Sequence, residues 1–138
     1  MKRSAHPPLL GLAVAALIAG AAPASAQEVD CPPACGIGIS VPANPTLPPA
    51  VDPEILAVEA GSTIVFRADS PVRIRFEGET PFVNPAGRPI MNFVVNRGNR
   101  SMRTSPDRDV CAGNGCKYTI FGQDDRNRPP RDPFIVVR

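Results

Sequence analysis

The stretch that decides the fold covers residues 55–76 and reads ILAVEAGSTIVFRADSPVRIRF. Its last five residues alternate apolar Val72, Ile74 and Phe76 with arginines. A period of two places successive side chains on opposite faces of a strand, with the apolar face turned toward a core. Gly61 supplies the positive φ that a tight turn needs. The stretch therefore predicts three strands joined by two turns.

The same alternation of apolar and polar residues recurs in short segments on both sides of this stretch, and no window has a sustained helical period. The predicted strands are residues 37–41, 55–58, 63–66, 72–76, 90–95, 100–104, 117–121 and 133–138. Strands spaced at about ten residues with turn signals between them are typical of a β-sandwich. We therefore predict an all-β fold: a single antiparallel or mixed Greek-key sandwich of about seven or eight short strands.

Three details of this prediction are specific enough to test. Residues 37–41 are expected to form an edge strand. Residues 96–99 are expected to form a hairpin loop that pairs the strands on either side of it. Phe82, in a loop rich in Pro, Gly and Asn, is expected to plug the core.

The first 26 residues are typical of a cleavable signal peptide. Lys2 and Arg3 precede a short apolar run, which ends in small residues up to Ala26. The run is shorter than the ~20 residues that a membrane span needs. We predict Sec-type export, cleavage after Ala26, a periplasmic or secreted bacterial protein, and no transmembrane segment after cleavage. Residues 27–54 are predicted to form a Cys- and Pro-rich arm, and residues 55–138 the sandwich domain.

All four cysteines follow the predicted cleavage site: Cys31, Cys35, Cys111 and Cys116. An even number of cysteines in an oxidising compartment favours two disulfides, and four cysteines allow three pairings. We favour Cys31–Cys35 and Cys111–Cys116, because a turn-forming tetrapeptide would bring the second pair together across a hairpin. Cross-pairing, which would join the arm to the later hairpin, stays open.

After the predicted cleavage removes Lys2 and Arg3, the remaining 13 basic and 13 acidic residues balance, but they are unevenly distributed. Residues 27–66 contain five acidic residues and no Lys or Arg, whereas the chain from residue 67 onward is basic. Between residues 88 and 108 there is a single acid, and the basic residues there are Arg88, Arg97, Arg100, Arg103 and Arg108. This block predicts a surface for a protein or other anionic partner. The neutral total and the predicted compartment argue against nucleic acid.

The sequence contains no set of residues that ordinary catalysis requires. Its single histidine, His6, lies in the predicted signal peptide, so Ser-His-Asp and Cys-His hydrolases and His-based zinc sites are excluded. Lys117, the one lysine after the cleavage site, is the only lysine that could act as a base instead, and we interpret it as a surface residue at the start of a strand. Asp124, Asp125 and Asp132 offer oxygen ligands for Ca²⁺, but neighbouring arginines oppose a cation. We interpret residues 122–132 as a self-neutralising contact loop.

Two segments resemble the cupredoxin-like fold. They are the pattern Leu56-Ala57-Val58, Gly61 and residues 63–66 near the start of the sandwich, and residues 118–120 with 132–137 at its end. The resemblance implies a Greek-key sandwich. A type-1 copper site requires two His, one Cys and usually an axial Met. Residues 122–132, where that resemblance would place ligands, contain none of these, so the implied scaffold lacks the copper site.

The sequence therefore predicts a non-enzymatic exported β-sandwich with a binding or structural role and no cofactor. The alternative is a thiol-based redox or metal-handling protein that uses Cys31 and Cys35. In that alternative the two cysteines, or all four as thiolates around zinc, would carry the chemistry.

Overall fold

The computed structural model describes residues 27–123 and 127–138. The predicted signal peptide and its cleavage site at Ala26 lie outside these ranges. The strands are β1 (Glu28–Cys31), β2 (Gly36–Ser40), β3 (Ala50–Asp52), β4 (Ile55–Val58), β5 (Thr63–Ala68), β6 (Val72–Phe76), β7 (Phe82–Val83), β8 (Asn92–Val95), β9 (Gly98–Thr104), β10 (Cys116–Gly122) and β11 (Phe134–Val137). Within the two described ranges, no helix is long and apolar enough to cross a membrane.

The strands form two facing mixed sheets, which confirms the predicted all-β sandwich. The six-stranded sheet has the order β1-β4-β11-β10-β6-β8, and the five-stranded sheet has the order β3-β2-β5-β9-β7. The described residues form eleven strands rather than the expected seven or eight. The additional strands β1, β3 and β7 have only two to four residues each and lack a long alternating pattern.

Segment 27–54 belongs to both sheets. Strand β1 runs parallel to β4 in one sheet, and β2 runs parallel to β5 in the other. The prediction that residues 37–41 form an edge strand is wrong, because β3 pairs with the outer side of β2 and takes the edge position. The proline-rich run between β2 and β4 thus contains a strand of its own.

Successive strands of the deciding stretch lie in opposite sheets. Strand β4 is in the six-stranded sheet, β5 in the five-stranded sheet and β6 again in the six-stranded sheet. The turn between β4 and β5 is bonded to distant segments: Gly61 N donates to Ser105 O at 2.9 Å, and Ala60 N donates to Arg138 O at 3.3 Å. Gly61 has a φ of 84°, as expected for a turn glycine.

The predicted hairpin at residues 96–99 is wrong. Strand β8 pairs with β6, whereas β9 pairs with β5 and β7 in the other sheet. The chain therefore crosses the core between β8 and β9 instead of folding back within one sheet. An apolar face on each strand is compatible with either arrangement, because both bury that face, so periodicity alone could not distinguish them.

The core lies between the sheets and is centred on packed aromatic rings. The ring centroids of Phe66 and Phe93 are 5.3 Å apart, and those of Phe76 and Tyr118 are 5.2 Å apart. Phe82 is fully buried against Phe66 and Phe76, so the predicted plug is confirmed. On β6 the apolar positions are buried and the arginine positions are exposed, as the alternation predicted.

Candidate functional site

The five arginines of the predicted basic surface are all exposed, but they occupy different parts of the fold. Arg88 is in the turn between β7 and β8, Arg97 precedes β9, and Arg108 is in the loop after β9. Strand β9 spans roughly 20 Å. Arg97 and Arg108 therefore lie near opposite ends of this strand, while Arg100 and Arg103 lie along it.

Arg100 has a structural contact that the sequence did not indicate. It shares the inward-facing side of β9 with buried Met102, at the end of the sandwich. Its guanidinium donates to the carbonyl oxygen of Val94 at 2.8 Å and lies 5.4 Å from the centroid of the Phe93 ring. Because Phe93 and Val94 belong to the opposite sheet, Arg100 links the two sheets and covers one end of the core.

Arg103 is on the opposite, outward face of β9. It pairs across the sheet with Thr63 on β5 and with Val83 on β7. Among residues 27–123 and 127–138, no acidic side chain lies within ion-pair distance of Arg103, nor of Arg88, Arg97 or Arg108. The positive charges of these four side chains are thus not neutralised by an ion pair with any residue that the structure describes.

A recess of about 320 Å³ opens beside β9. Its apolar wall comes from Val83, Pro85 and Ile90, and its other side comes from β9 between Arg100 and Arg103. The residues that line the recess combine apolar side chains with two arginines, Arg100 and Arg103. Such a combination suits an anionic group attached to an apolar or extended chain.

A larger depression on the outer face of the six-stranded sheet has a different charge pattern. Arg75 stacks on Phe121, with the guanidinium carbon 5.0 Å from the ring centroid, and pairs with Glu77 at 3.3 Å. Lys117 and Asp132 also line it. Three acidic and two basic side chains line this depression, so charges of both signs are mixed along it and it does not match the arginine-rich surface around β9.

The cysteines form two disulfides, so the prediction of disulfide bonding is confirmed. The pairs are Cys31–Cys35 and Cys111–Cys116, with Cα–Cα distances of 4.7 and 4.9 Å, which is the pairing that the sequence favoured. The second pair closes a turn before β10 and does not cross a hairpin of two strands, because no strand contains Cys111.

The disulfides limit the metal chemistry open to this form of the protein. In the described part of the chain no cysteine is free. Glu79 Oε lies within 4.8 Å of the sulfurs of Cys111 and Cys116, but those sulfurs are bonded to each other. Since metals bind thiolates, the oxidised cluster leaves only one carboxylate ligand.

The first disulfide also fixes the arm to the sandwich. The carbonyl oxygen of Cys31 accepts from Glu59 N at 3.1 Å, and that of Cys35 accepts from Val65 N at 3.0 Å. Glu59 and Val65 lie on either side of the turn that crosses between the sheets. The contacts give Cys31–Cys35 a structural position between β1 and β2.

The loop of residues 122–132 contacts the rest of the protein through arginines. Buried Arg128 donates from Nη1 to the carbonyl oxygens of Asn44 and Leu47, at 3.0 and 2.8 Å. Arg131 forms an ion pair with Glu54, outside the loop. Arg128 and Arg131 thus contact segments outside the loop. Neutralisation within the loop stays a prediction, because Asp124 and Asp125, which are also the candidate Ca²⁺ ligands, lie outside the described residues.

Among the described residues, Tyr118 is a titratable group whose pKa is clearly shifted. Burial raises the pKa of its phenol far above the ordinary value, because the anion would lose its hydration. Its hydroxyl has no hydrogen-bond partner among the described residues. The group therefore stays protonated in the folded protein and is unsuited to act as a base.

No protein-family model matches the chain, and no curated protein matches it. Among solved structures, a novel purple cupredoxin from Nitrosopumilus maritimus is similar to it at 17% sequence identity. The similarity covers 76% of this chain and 100% of that chain, with a TM-score of 0.45. At this level of similarity, the comparison carries no information about a binding site.

Proposed function

We propose that this protein is an exported, non-enzymatic β-sandwich that binds an acidic protein partner through arginines on and around β9. The observation that carries the proposal is the set of exposed arginines with no acidic neighbour within ion-pair distance in the described ranges: Arg88, Arg97, Arg103 and Arg108. Such charges attract anionic partners and accelerate their association.

The position of these side chains supports recognition rather than stabilisation of the fold. By contrast, Arg131 and Arg138 pair with acidic residues that precede residue 55, namely Glu54 and Glu28. Exposed side chains on loops and edges of a rigid sandwich are common in recognition. An acidic protein fits the apolar wall of the recess better than a uniform polyanion does.

Export is the second part of the proposal. Two disulfides are typical of proteins outside the cytoplasm, where thiols become oxidised. Expression of the full chain in a bacterium, followed by mass measurement of the periplasmic product, tests this directly. A mature chain beginning at Gln27 supports the proposal, and a product that retains residues 1–26 in the cytoplasm contradicts it.

The binding role is tested with a variant that combines Arg88→Ser, Arg97→Ser and Arg103→Ser. Arg100 is left intact because its guanidinium also contacts the core. The probe is a short fluorescein-labelled peptide rich in Glu, Asp and Val, measured by anisotropy over a range of salt concentrations. We expect the variant to bind at least about tenfold more weakly, and salt to weaken binding to the native protein.

Arg73→Ser is the matched control, because Arg73 is an exposed strand arginine on the opposite sheet. It should leave binding unchanged. Equal loss in this control and in the triple variant would contradict the assigned surface, as would absence of binding to the native protein. Binding to heparin but not to the peptide would overturn the protein partner in favour of an anionic polymer.

A further inference from the structure

Strand β9 is paired along nearly all of its length on one side only. On that side it pairs with β5 from Gly98 to Arg103. On its other side, β7 contacts only Arg103 and Thr104, because β7 contains just Phe82 and Val83. Five residues of β9, from 98 to 102, therefore extend beyond the end of β7.

The direction of the unpaired main-chain groups follows from the hydrogen bonds next to them. Ser105 N donates to Pro81 O at 2.7 Å, on the β7 side, and Thr104 N donates to Ser62 O at 2.8 Å, on the β5 side. Main-chain groups of an antiparallel strand alternate between its two neighbours. By this alternation, Ser101 and Asn99 direct their N–H and C=O groups toward the side from which β7 is missing.

A turn directly after Val83 explains why β7 does not continue alongside β9. After Val83 the chain turns away at Asn84, whose Oδ1 accepts from Ala86 N and Arg88 N, both at 2.9 Å. Asn84 N also donates to Arg88 O at 2.8 Å. Together with the bond from Gly87 N to Asn84 O at 2.8 Å, these hydrogen bonds fix the turn, and it leaves the recess beside Ser101 where a continued β7 would lie.

The charges beside this edge determine which side chains would be favoured on an added strand. Arg103 is on the outward face of β9, and Arg100 is on the inward face at the end of the core. Side chains of an added strand would alternate between the same two faces. Acidic residues at neighbouring positions would therefore each meet a guanidinium group, while an apolar residue would meet Val83 and Ile90.

We propose that an extended acidic segment of a partner protein adds to β9 at Asn99 and Ser101 as a short extra strand. This inference rests on the proposed function and specifies how the partner is held: main-chain hydrogen bonds align it, and arginines on both faces select acidic side chains. Exposed strand edges readily accept such pairing, and charged side chains restrict which strands can approach.

The first test changes the main chain of β9. Ser101→Pro removes the N–H that faces the recess, on the side of β9 where no described strand pairs, and leaves the side facing β5 unchanged, so the fold should tolerate it. Ser101→Thr keeps the N–H and is the matched control. With the acidic peptide as probe, we expect Ser101→Pro to weaken binding about tenfold and Ser101→Thr to leave it unchanged.

The second test changes the peptide and so does not depend on folding of the proline variant. Two versions of the peptide carry N-methyl groups on alternate amides, one set for each edge of the extended chain. Pairing along one edge predicts that one version loses binding about tenfold and the other keeps it. Equal binding of both versions would overturn strand addition.

The outcomes separate this inference from the proposed function. If the triple arginine variant loses binding while Ser101→Pro and both methylated peptides behave like their controls, strand addition is wrong and charge recognition survives. If no acidic peptide binds the native protein, the proposed function itself is wrong, and strand addition of an acidic partner is wrong with it. In a further outcome, the native protein binds no peptide but self-associates with increasing concentration, and Ser101→Pro abolishes this self-association. That result would show that the strand added to β9 comes from a second copy of the chain and not from a partner protein.

Discussion

The guanidinium of Arg100, on the five-stranded sheet, lies 5.4 Å from the centroid of the Phe93 ring on the six-stranded sheet. The same group donates to Val94 O. A side chain that sequence alone assigned only to the surface thus also joins the two layers. This double role separates Arg100 from Arg103, its near neighbour on the same strand.

We expect Arg100→Ala to lower the free energy of unfolding by about 1–2 kcal/mol, because it removes a charged hydrogen bond and a cation–π contact. Arg103→Ala, which removes an exposed arginine from the same strand without such contacts, should change it by less than about 0.5 kcal/mol. Urea unfolding of both variants measures the difference. Equal values would show that the contacts of Arg100 do not stabilise the fold.

Two glycines in the turn before β10 offer a matched comparison. Gly113 and Gly115 have φ values of 69° and 85°. A Cβ at Gly115 would lie 2.7 Å from Ile135 O, whereas none of the surrounding atoms lies within 4 Å of a Cβ at Gly113. Gly113→Ala should cost about 1 kcal/mol through backbone strain alone, and Gly115→Ala more than about 3 kcal/mol through strain and overlap with β11. Urea midpoints check this; similar costs would refute the close approach.

The ionisation of Tyr118 can be measured without interference, because it is the only tyrosine in the chain. Its raised pKa means that the folded phenol keeps its proton at a pH where the unfolded one loses it. Above about pH 10 the free energy of unfolding should therefore decrease, by up to about 1.4 kcal/mol per pH unit. Below that pH the group contributes no pH dependence, since both states are protonated.

Tyr118→Phe should remove this alkaline decrease and leave stability near neutral pH unchanged or about 1 kcal/mol higher, because it deletes a buried hydroxyl without a protein partner among the described residues. Urea unfolding between about pH 9 and pH 11, with absorbance near 295 nm, follows both effects. Tyrosinate absorbance that rises near pH 10 while the protein stays folded would contradict the buried position.

The cysteines distinguish the structural interpretation from the thiol-based alternative. We expect no reactive thiol in the native protein and a mass lower by four hydrogens than that of the reduced chain. Each disulfide closes a short loop, so replacing either pair by Ser should cost about 2 kcal/mol in the loop-entropy model. Thiol titration, mass measurement and urea unfolding test these values. Two titratable thiols or a co-purified metal at Cys31 and Cys35 would instead support the redox or metal-handling alternative.

The amino-acid sequence determined which face is buried on the strands where apolar and charged residues alternate. On β6, apolar and charged residues alternate strictly, and the burial of Val72, Ile74 and Phe76 follows from that pattern. Disulfide bonding also followed from residue types alone. These properties are local, because side-chain direction along a strand depends only on the backbone period.

Only the tertiary structure decided which strands are neighbours. The pattern of β8 and β9 is equally compatible with a hairpin and with a crossing between sheets, and the crossing is what occurs. The contact of Arg100 with Phe93 and the open edge at Ser101 depend on that choice, and the burial of Arg128 against Asn44 depends on two loops that are far apart in the chain. They join residues far apart in the chain or in different sheets. Local periodicity does not determine such pairings, because their stability depends on how the two apolar layers fit together in three dimensions.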